Sequence, residues 1–138
     1  EILIGLVGSE MCIRDSYNAN PVSMMASIDV LSQAKGRKIA VLGDMGELGS
    51  EEKKLHGMVG THFAGKKIDA LFVTGTLAGE IAEEARRVAP ETRVYAEPDK
   101  EALEEALLEY RRPGDTILVK ASHFMGFSEI VKKLEQPQ

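Results

Sequence analysis

Tryptophan is absent from the chain, cysteine occurs once, at Cys12, and aromatic residues make up only 5% of the total. One cysteine cannot form an internal disulfide, so nothing points to an oxidising compartment and a reducing cytoplasm is the expected location. With so few aromatics the core has to be built from aliphatic side chains and methionine, which suits strands and helices packed in layers. Positive charge is not in excess: 17 Lys and Arg stand against 22 Asp and Glu, a net charge of -5. Such a balance offers no electrostatic footprint for a polyanion, and no nucleic-acid partner is expected. No apolar run reaches the length of a membrane span, so no membrane partner is expected either. The phosphate-loop pattern, Gly, four residues, then Gly-Lys-Ser or Gly-Lys-Thr, is also missing; the apolar start of the chain runs into Gly8-Ser9 without a lysine.

What is present fits one domain. The chain has 138 residues, of which 43% are hydrophobic, enough to bury a core of ordinary size. Residues 1–14 stand apart: they are too short and lack the basic start of a secretory signal. The run SEMCIRDS, residues 9–16, resembles translated sequencing-adapter read-through, a scar to be set aside before fold reasoning. The domain proper is therefore taken as residues 15–138, with the alternative that the preceding residues are a native first strand.

Residues 37–49, RKIAVLGDMGELG, carry the strongest local signal. Ile39, Ala40, Val41 and Leu42 form a continuous apolar run ending at Gly43-Asp44, the pattern of a strand buried on both faces that opens into a loop. In open α/β sheets ligands gather beyond the carboxyl ends of such strands, which makes Asp44 a rim residue. Upstream, Asn20-Pro21 starts a helix with Met24, Met25, Ile28 and Leu31 inward. The Asn side chain would cap the helix and Pro would take the first position, where its missing N–H costs nothing. Asn18 and Asn20 are candidates to contact an anion at that helix N-terminus, the alternative being capping and turn geometry alone, which suits Asn20 more than Asn18.

Downstream, Ser50 leads into a helix with Leu55, Val59 and Phe63 at helical spacing. His56 and His62 lie six residues apart, neither i+3 nor i+4, so they form no helical metal pair and are expected at the surface or in packing. Residues 69–75 form a second buried strand, and a helix with Leu77, Ile81, Ala85 and Val88 follows. Residues 92–96 make a shorter strand suited to the sheet edge. Asp99 starts a helix with Leu103, Leu107 and Tyr110 inward and Glu101, Glu104, Glu105 and Glu109 on the solvated face. Residues 116–120 form a fourth strand ending in Lys120, at the same rim as Asp44. A last helix with Phe127, Ile130, Val131 and Leu134 inward closes the chain. Helix and strand thus alternate with short connections, which demands parallel strands and crossovers. The fold expected is α/β, a three-layer Rossmann-like domain with a mostly parallel sheet, its working edge gathering Asp44, Glu47, Lys120, Ser122 and His123 with Asp15 and Asn18.

Three motifs carry a family resemblance: Asp15-Ser16-Tyr17-Asn18-Ala19-Asn20-Pro21, Gly43-Asp44-Met45-Gly46-Glu47-Leu48-Gly49 and Lys120-Ala121-Ser122-His123. In order and spacing they resemble the C-terminal domain of the Mur ligases, in particular the branch acting on UDP-N-acetylmuramoyl-tripeptide and D-alanyl-D-alanine in peptidoglycan synthesis. The family usually has Gly and Arg where this chain has Ala121 and His123, and a guanidinium grips a carboxylate bidentately where an imidazole cannot. The resemblance implies an ATP-dependent amide-bond ligase that activates the tripeptide carboxylate as an acyl phosphate. ATP and Mg2+ would be held mainly by a central domain that this chain lacks, as it lacks the N-terminal domain, and a monomer is expected. It further implies that Asp15, Asn18 and Asn20 border the nucleotide, that Asp44, Met45, Glu47, Lys120, Ser122 and His123 face the incoming dipeptide, and that no catalytic or metal-ligating residue lies in this fragment. By itself the fragment would be inactive.

Two other classes share parts of the pattern. A receiver-type signalling domain phosphorylated at Asp44 would also have an acid after one strand and Lys120 at the end of another, but it needs an acidic pair after its first strand, and in the corresponding region residues 1–14 offer only Glu10. A dinucleotide-binding domain needs Gly-x-Gly-x-x-Gly, whereas Gly43, Gly46 and Gly49 are spaced by three.

Overall fold

Runs buried at four or all five positions, at Lys38–Leu42, Ala70–Thr74 and Thr116–Lys120, can be strands only if both faces of their sheet are covered. In a computed structural model, which describes residues 2–6, 11–15 and 20–135, they lie at the centre of a six-stranded sheet with helices on both faces. The elements in order are β1 (Ile2–Leu6), β2 (Met11–Asp15), α1 (Pro21–Ser32), β3 (Lys38–Leu42), α2 (Glu52–Thr61), β4 (Ala70–Thr74), α3 (Ala78–Val88), β5 (Arg93–Glu97), α4 (Lys100–Tyr110), β6 (Thr116–Lys120) and α5 (Ser128–Leu134). The strand order is β2-β1-β6-β3-β4-β5. From β6 to β5 all neighbours are parallel, while β1 runs antiparallel to β6 and β2 antiparallel to β1.

Alternation along the strands sorts the core into two layers. Ala40 and Leu42 of β3 face one way, into a cluster with Met24, Ile28 and Leu31 of α1, Val59 of α2 and Ile81 of α3. Ile39 and Val41 face the other way, against Leu103 and Leu107 of α4 and Ile130 of α5. The aliphatic, three-layer arrangement expected from composition is the one found. Phe72, Tyr95 and Tyr110 gather in the second layer, with the Phe72 and Tyr95 rings stacked at 4.7 Å.

Local expectations fare well at α1. Asn20 is its N-cap, Oδ1 accepting from the Ser23 N–H at 2.9 Å while Ser23 Oγ accepts from the Asn20 N–H, and Pro21 takes the first turn. Two expectations need correction. In α2 the inward stripe is His56, Val59, Gly60 and, just past its end, Phe63, with Leu55 only half-buried. Gly60 allows α2 and α3 to meet closely, since a Cβ there would lie 2.4 Å from the Ile81 carbonyl oxygen. In α4, Glu104 is buried rather than solvated, because α5 covers that flank and Lys133 pairs with it at 2.9 Å. Glu105 and Glu109 remain exposed, and Glu101 with them.

Candidate functional site

Strand order sets the position of the site. β3 is followed in the sheet by β4 and then β5, but α4 carries the chain back past β3 to place β6 on its other side. The carboxyl ends of β3 and β6 therefore flank the point where the winding reverses, the crevice that α/β folds use for ligands. Leu42 is in register with Lys120, so the loops beginning at Gly43 and Ala121 leave the sheet side by side. On the same edge, β2 ends at Asp15, level with Ile2, which is level in turn with Val119.

The two loops are laced together. The Gly43 N–H donates to the Lys120 carbonyl at 3.1 Å, the Ser122 N–H to the Asp44 carbonyl at 3.0 Å, and the Gly46 N–H to Ser122 Oγ at 2.6 Å. Gly43 is needed for this approach: a Cβ there would stand 2.8 Å from Cζ of Phe127 and 2.9 Å from Cβ of Ala121. The root of the first loop has two more anchors. Asp44 Oδ1 accepts from the Leu77 N–H at 3.0 Å and from the Ala78 N–H at 2.7 Å, serving the N-terminus of α3, and the Met45 N–H donates to Nε2 of His56 at 2.9 Å. Beyond Gly46 the loop turns outward through two left-handed residues, Glu47 at φ 56° and Gly49 at φ 73°. That conformation costs glycine little but is uncommon for a glutamate, so the surrounding loop has to impose it.

The residues expected to bind substrate thus divide. Asp44, Met45 and Lys120 are buried, Met45 within the core and Lys120 as the last residue of β6, so they build the edge from inside. Glu47 is exposed and Ser122 half-buried. His123 opens a short 3-10 turn, His123–Met125, that displays Phe124 at 68% exposure beside Gly46. Of the residues expected near the nucleotide, Asp15 ends β2 at this edge, Asn20 caps α1, and Asn18 lies outside the described residues. Among the described residues no group of three or more His, Cys, Asp or Glu could hold a metal ion, and no helix is long and apolar enough to cross a membrane.

Two residues that shape the site are not among the expected site residues: His56, expected at the surface or in packing, and Gly75. His56 follows Glu52 by four and falls in helical phase with Val59, Gly60 and Phe63, and that phase was the available signal. Gly75, at φ 122°, lies where a Cβ would be 2.3 Å from Asp44 Oδ1; only the tertiary approach of Asp44 reveals it.

A parallel α/β layer with laced polar loops at its switch point is the layout of a ligand-facing α/β domain. This chain belongs to the Mur ligase family: residues 3–123 match the Mur ligase, glutamate ligase domain. It is 42% identical over 124 residues to UDP-N-acetylmuramoyl-tripeptide–D-alanyl-D-alanine ligase of Bacillus subtilis (strain 168), covering 88% of this chain and 27% of that protein. It is 30% identical over 136 residues to the ligase of the same name from Escherichia coli (strain K12), covering 96% and 28%. Among solved structures it resembles MurF from Acinetobacter baumannii, with a TM-score of 0.77, 27% identity and coverage of 95% of this chain and 28% of that one. The MurF ligase from Thermotoga maritima, solved in complex with ADP, gives a TM-score of 0.74 at 25% identity, covering 96% and 29%. The chain therefore spans little more than a quarter of the length of these relatives.

Proposed function

We propose that this chain is the closing, acceptor-side domain, residues 15–138, of a cytoplasmic ligase that adds D-alanyl-D-alanine to UDP-N-acetylmuramoyl-tripeptide in peptidoglycan synthesis. The observation that carries this reading is the 42% identity with the Bacillus subtilis ligase across nearly nine-tenths of the chain. The site geometry agrees: a loop whose root is anchored in the sheet and whose tip turns outward is suited to present backbone and a few polar groups to a small peptide.

In this reading Glu47 and Ser122, with His123 and the outward face of residues 46–49, meet the dipeptide. Asp44, Met45 and Lys120 act beneath them by holding the loop in place. Asp15, Asn18 and Asn20 border the nucleotide, in keeping with the position of Asp15 at this edge and with the ADP bound by the Thermotoga relative. When bound, ATP with Mg2+ supplies the phosphoryl group that activates the tripeptide carboxylate. In this reading both are held mainly by the part of the ligase that lies outside this chain, which spans 27% of the Bacillus subtilis relative. No observation favours the receiver alternative, in which Asp44 would have to accept a phosphoryl group: Asp44 is buried, with Oδ1 engaged at the start of α3.

Gly46 provides the test. A Cβ there would stand 3.0 Å from Cε2 of Phe124 and 3.5 Å from Ser122 Oγ, so alanine crowds the mouth of the site without touching the sheet. In the complete ligase Gly46→Ala is expected to raise KM for D-alanyl-D-alanine by roughly five- to tenfold, with KM for ATP unchanged. An unchanged dipeptide KM would remove this loop from the acceptor site.

A further inference from the structure

We propose that His56 is a positioning residue for the acceptor loop, setting the orientation of the Met45 peptide and, through it, the outward turn at Glu47. The proposal rests on the acceptor-site reading above. His56 is completely buried on the inward stripe of α2, a place where packing alone would call for an aliphatic side chain. Both ring nitrogens are engaged. Nδ1 lies 2.7 Å from the backbone carbonyl oxygen of Glu52, and Nε2 lies 2.9 Å from the Met45 nitrogen. A carbonyl can only accept and a peptide N–H can only donate, so Nδ1 carries the proton and Nε2 offers its lone pair. The surroundings thus select one neutral tautomer, and the ring becomes a rigid strut from the first turn of α2 to the loop.

Met45 is where such a strut matters. Gly43 is held by β6, Asp44 by the start of α3, and Gly46 by Ser122. The Asp44–Met45 peptide is held at its carbonyl by the Ser122 N–H and at its N–H by His56, so His56 supplies the second of its two anchors and the root is gripped from β6, the loop after it, the start of α3 and α2. The left-handed Glu47 follows directly. Removing the imidazole acceptor leaves the Met45 N–H buried without a partner, a state costly enough to reorient the peptide and carry Glu47 with it.

The hydrogen bond can be tested in the unmodified 138-residue chain by NMR. A scalar coupling across the hydrogen bond between the Met45 amide nitrogen and His56 Nε2 is expected, with ring nitrogen shifts of an Nδ1–H tautomer; absence of the coupling overturns the proposal. In the complete ligase, His56→Leu keeps much of the volume but removes the acceptor, and is expected to raise the dipeptide KM by about tenfold with kcat changed far less. His56→Gln, whose Oε1 can accept the same N–H, is expected to bring KM back to within about threefold of the unmodified enzyme. A packing role would rank the two substitutions the other way, and that result overturns the proposal. If His56→Leu does not fold, the coupling and the His56→Gln KM decide. If the His56 variants leave the dipeptide KM alone while Gly46→Ala raises it, the positioning role falls and the acceptor site stands; if Gly46→Ala also leaves it alone, the acceptor-site reading itself falls.

Discussion

Asp44 serves the start of a helix that is thirty-three residues away in the chain. The residue preceding α3 is Leu77, whose side chain cannot accept a hydrogen bond, so the first N–H groups of that helix turn to a carboxylate at the end of β3. One oxygen takes both bonds. Asp44→Ala is therefore expected to lower the unfolding free energy by about 1–3 kcal/mol, as buried donors lose their partner. Asp44→Asn, which retains an acceptor oxygen without the charge, should cost less than half as much; urea unfolding monitored by circular dichroism measures both. Equal losses for the two substitutions would show that the charge near the helix N-terminus, rather than the hydrogen bonds, provides the stabilisation. The glycines of the loop divide in a similar way. Gly49 is required by its positive φ, whereas Gly43 is required by the nearness of Phe127 and Ala121, which no local pattern announces.

At the scale of elements, α1 and α2 are joined on the surface by a small charged group. Asp29 Oδ1 receives Lys66 Nζ at 2.7 Å and His62 Nε2 at 2.8 Å. The hydrogen bond from Lys66, and then that from His62, hold the Asp29 carboxyl below its ordinary value of 3.8. A group with a depressed folded value contributes stability above the unfolded value and loses it as pH falls through the folded one. The stability difference between the unmodified chain and Asp29→Asn should therefore shrink as pH falls below about 3.8, with the Asp29 carboxyl titrating below that point by NMR. Titration at or above 3.8 would show that the group is not formed in solution. The helices also show where periodicity misleads. Leu55, Val59 and Phe63 share a spacing of four, but the buried face drifts to His56, Val59 and Gly60, because an apolar count passes over a histidine and a glycine that tertiary contacts place inside. Glu104 is the same lesson in reverse, a charge placed on the outer face by pattern and taken inside by α5 and Lys133.

Over the whole molecule, the sheet reverses its winding between β3 and β6, and the anchored loops lie at that point. Because the chain spans little more than a quarter of the length of its relatives, the 138-residue chain alone is expected to form no ADP from ATP in the presence of both peptide substrates, and a polypeptide that supplies the rest of that length is expected to restore turnover. ADP formation by the isolated chain, followed in a coupled assay, would contradict this division of labour. Much of the architecture was readable in advance: the four parallel strands, the cap at Asn20, the layered aliphatic core and the rim carrying residues 43–49 all follow from short-range rules, namely apolar runs, turn residues and capping chemistry. For the residues before Asp15 the sequence leaves a scar and a single first strand as alternatives; neither includes the antiparallel pair β1 and β2. The sequence by itself determined that Asp44 and Lys120 end their strands at one edge, because strand ends and loop lengths are local properties. Only the tertiary structure decided what each does there, turning Asp44, Met45 and Lys120 inward and exposing Glu47, because burial and hydrogen-bond partners depend on α2, α3 and β6, elements that the chain reaches only later.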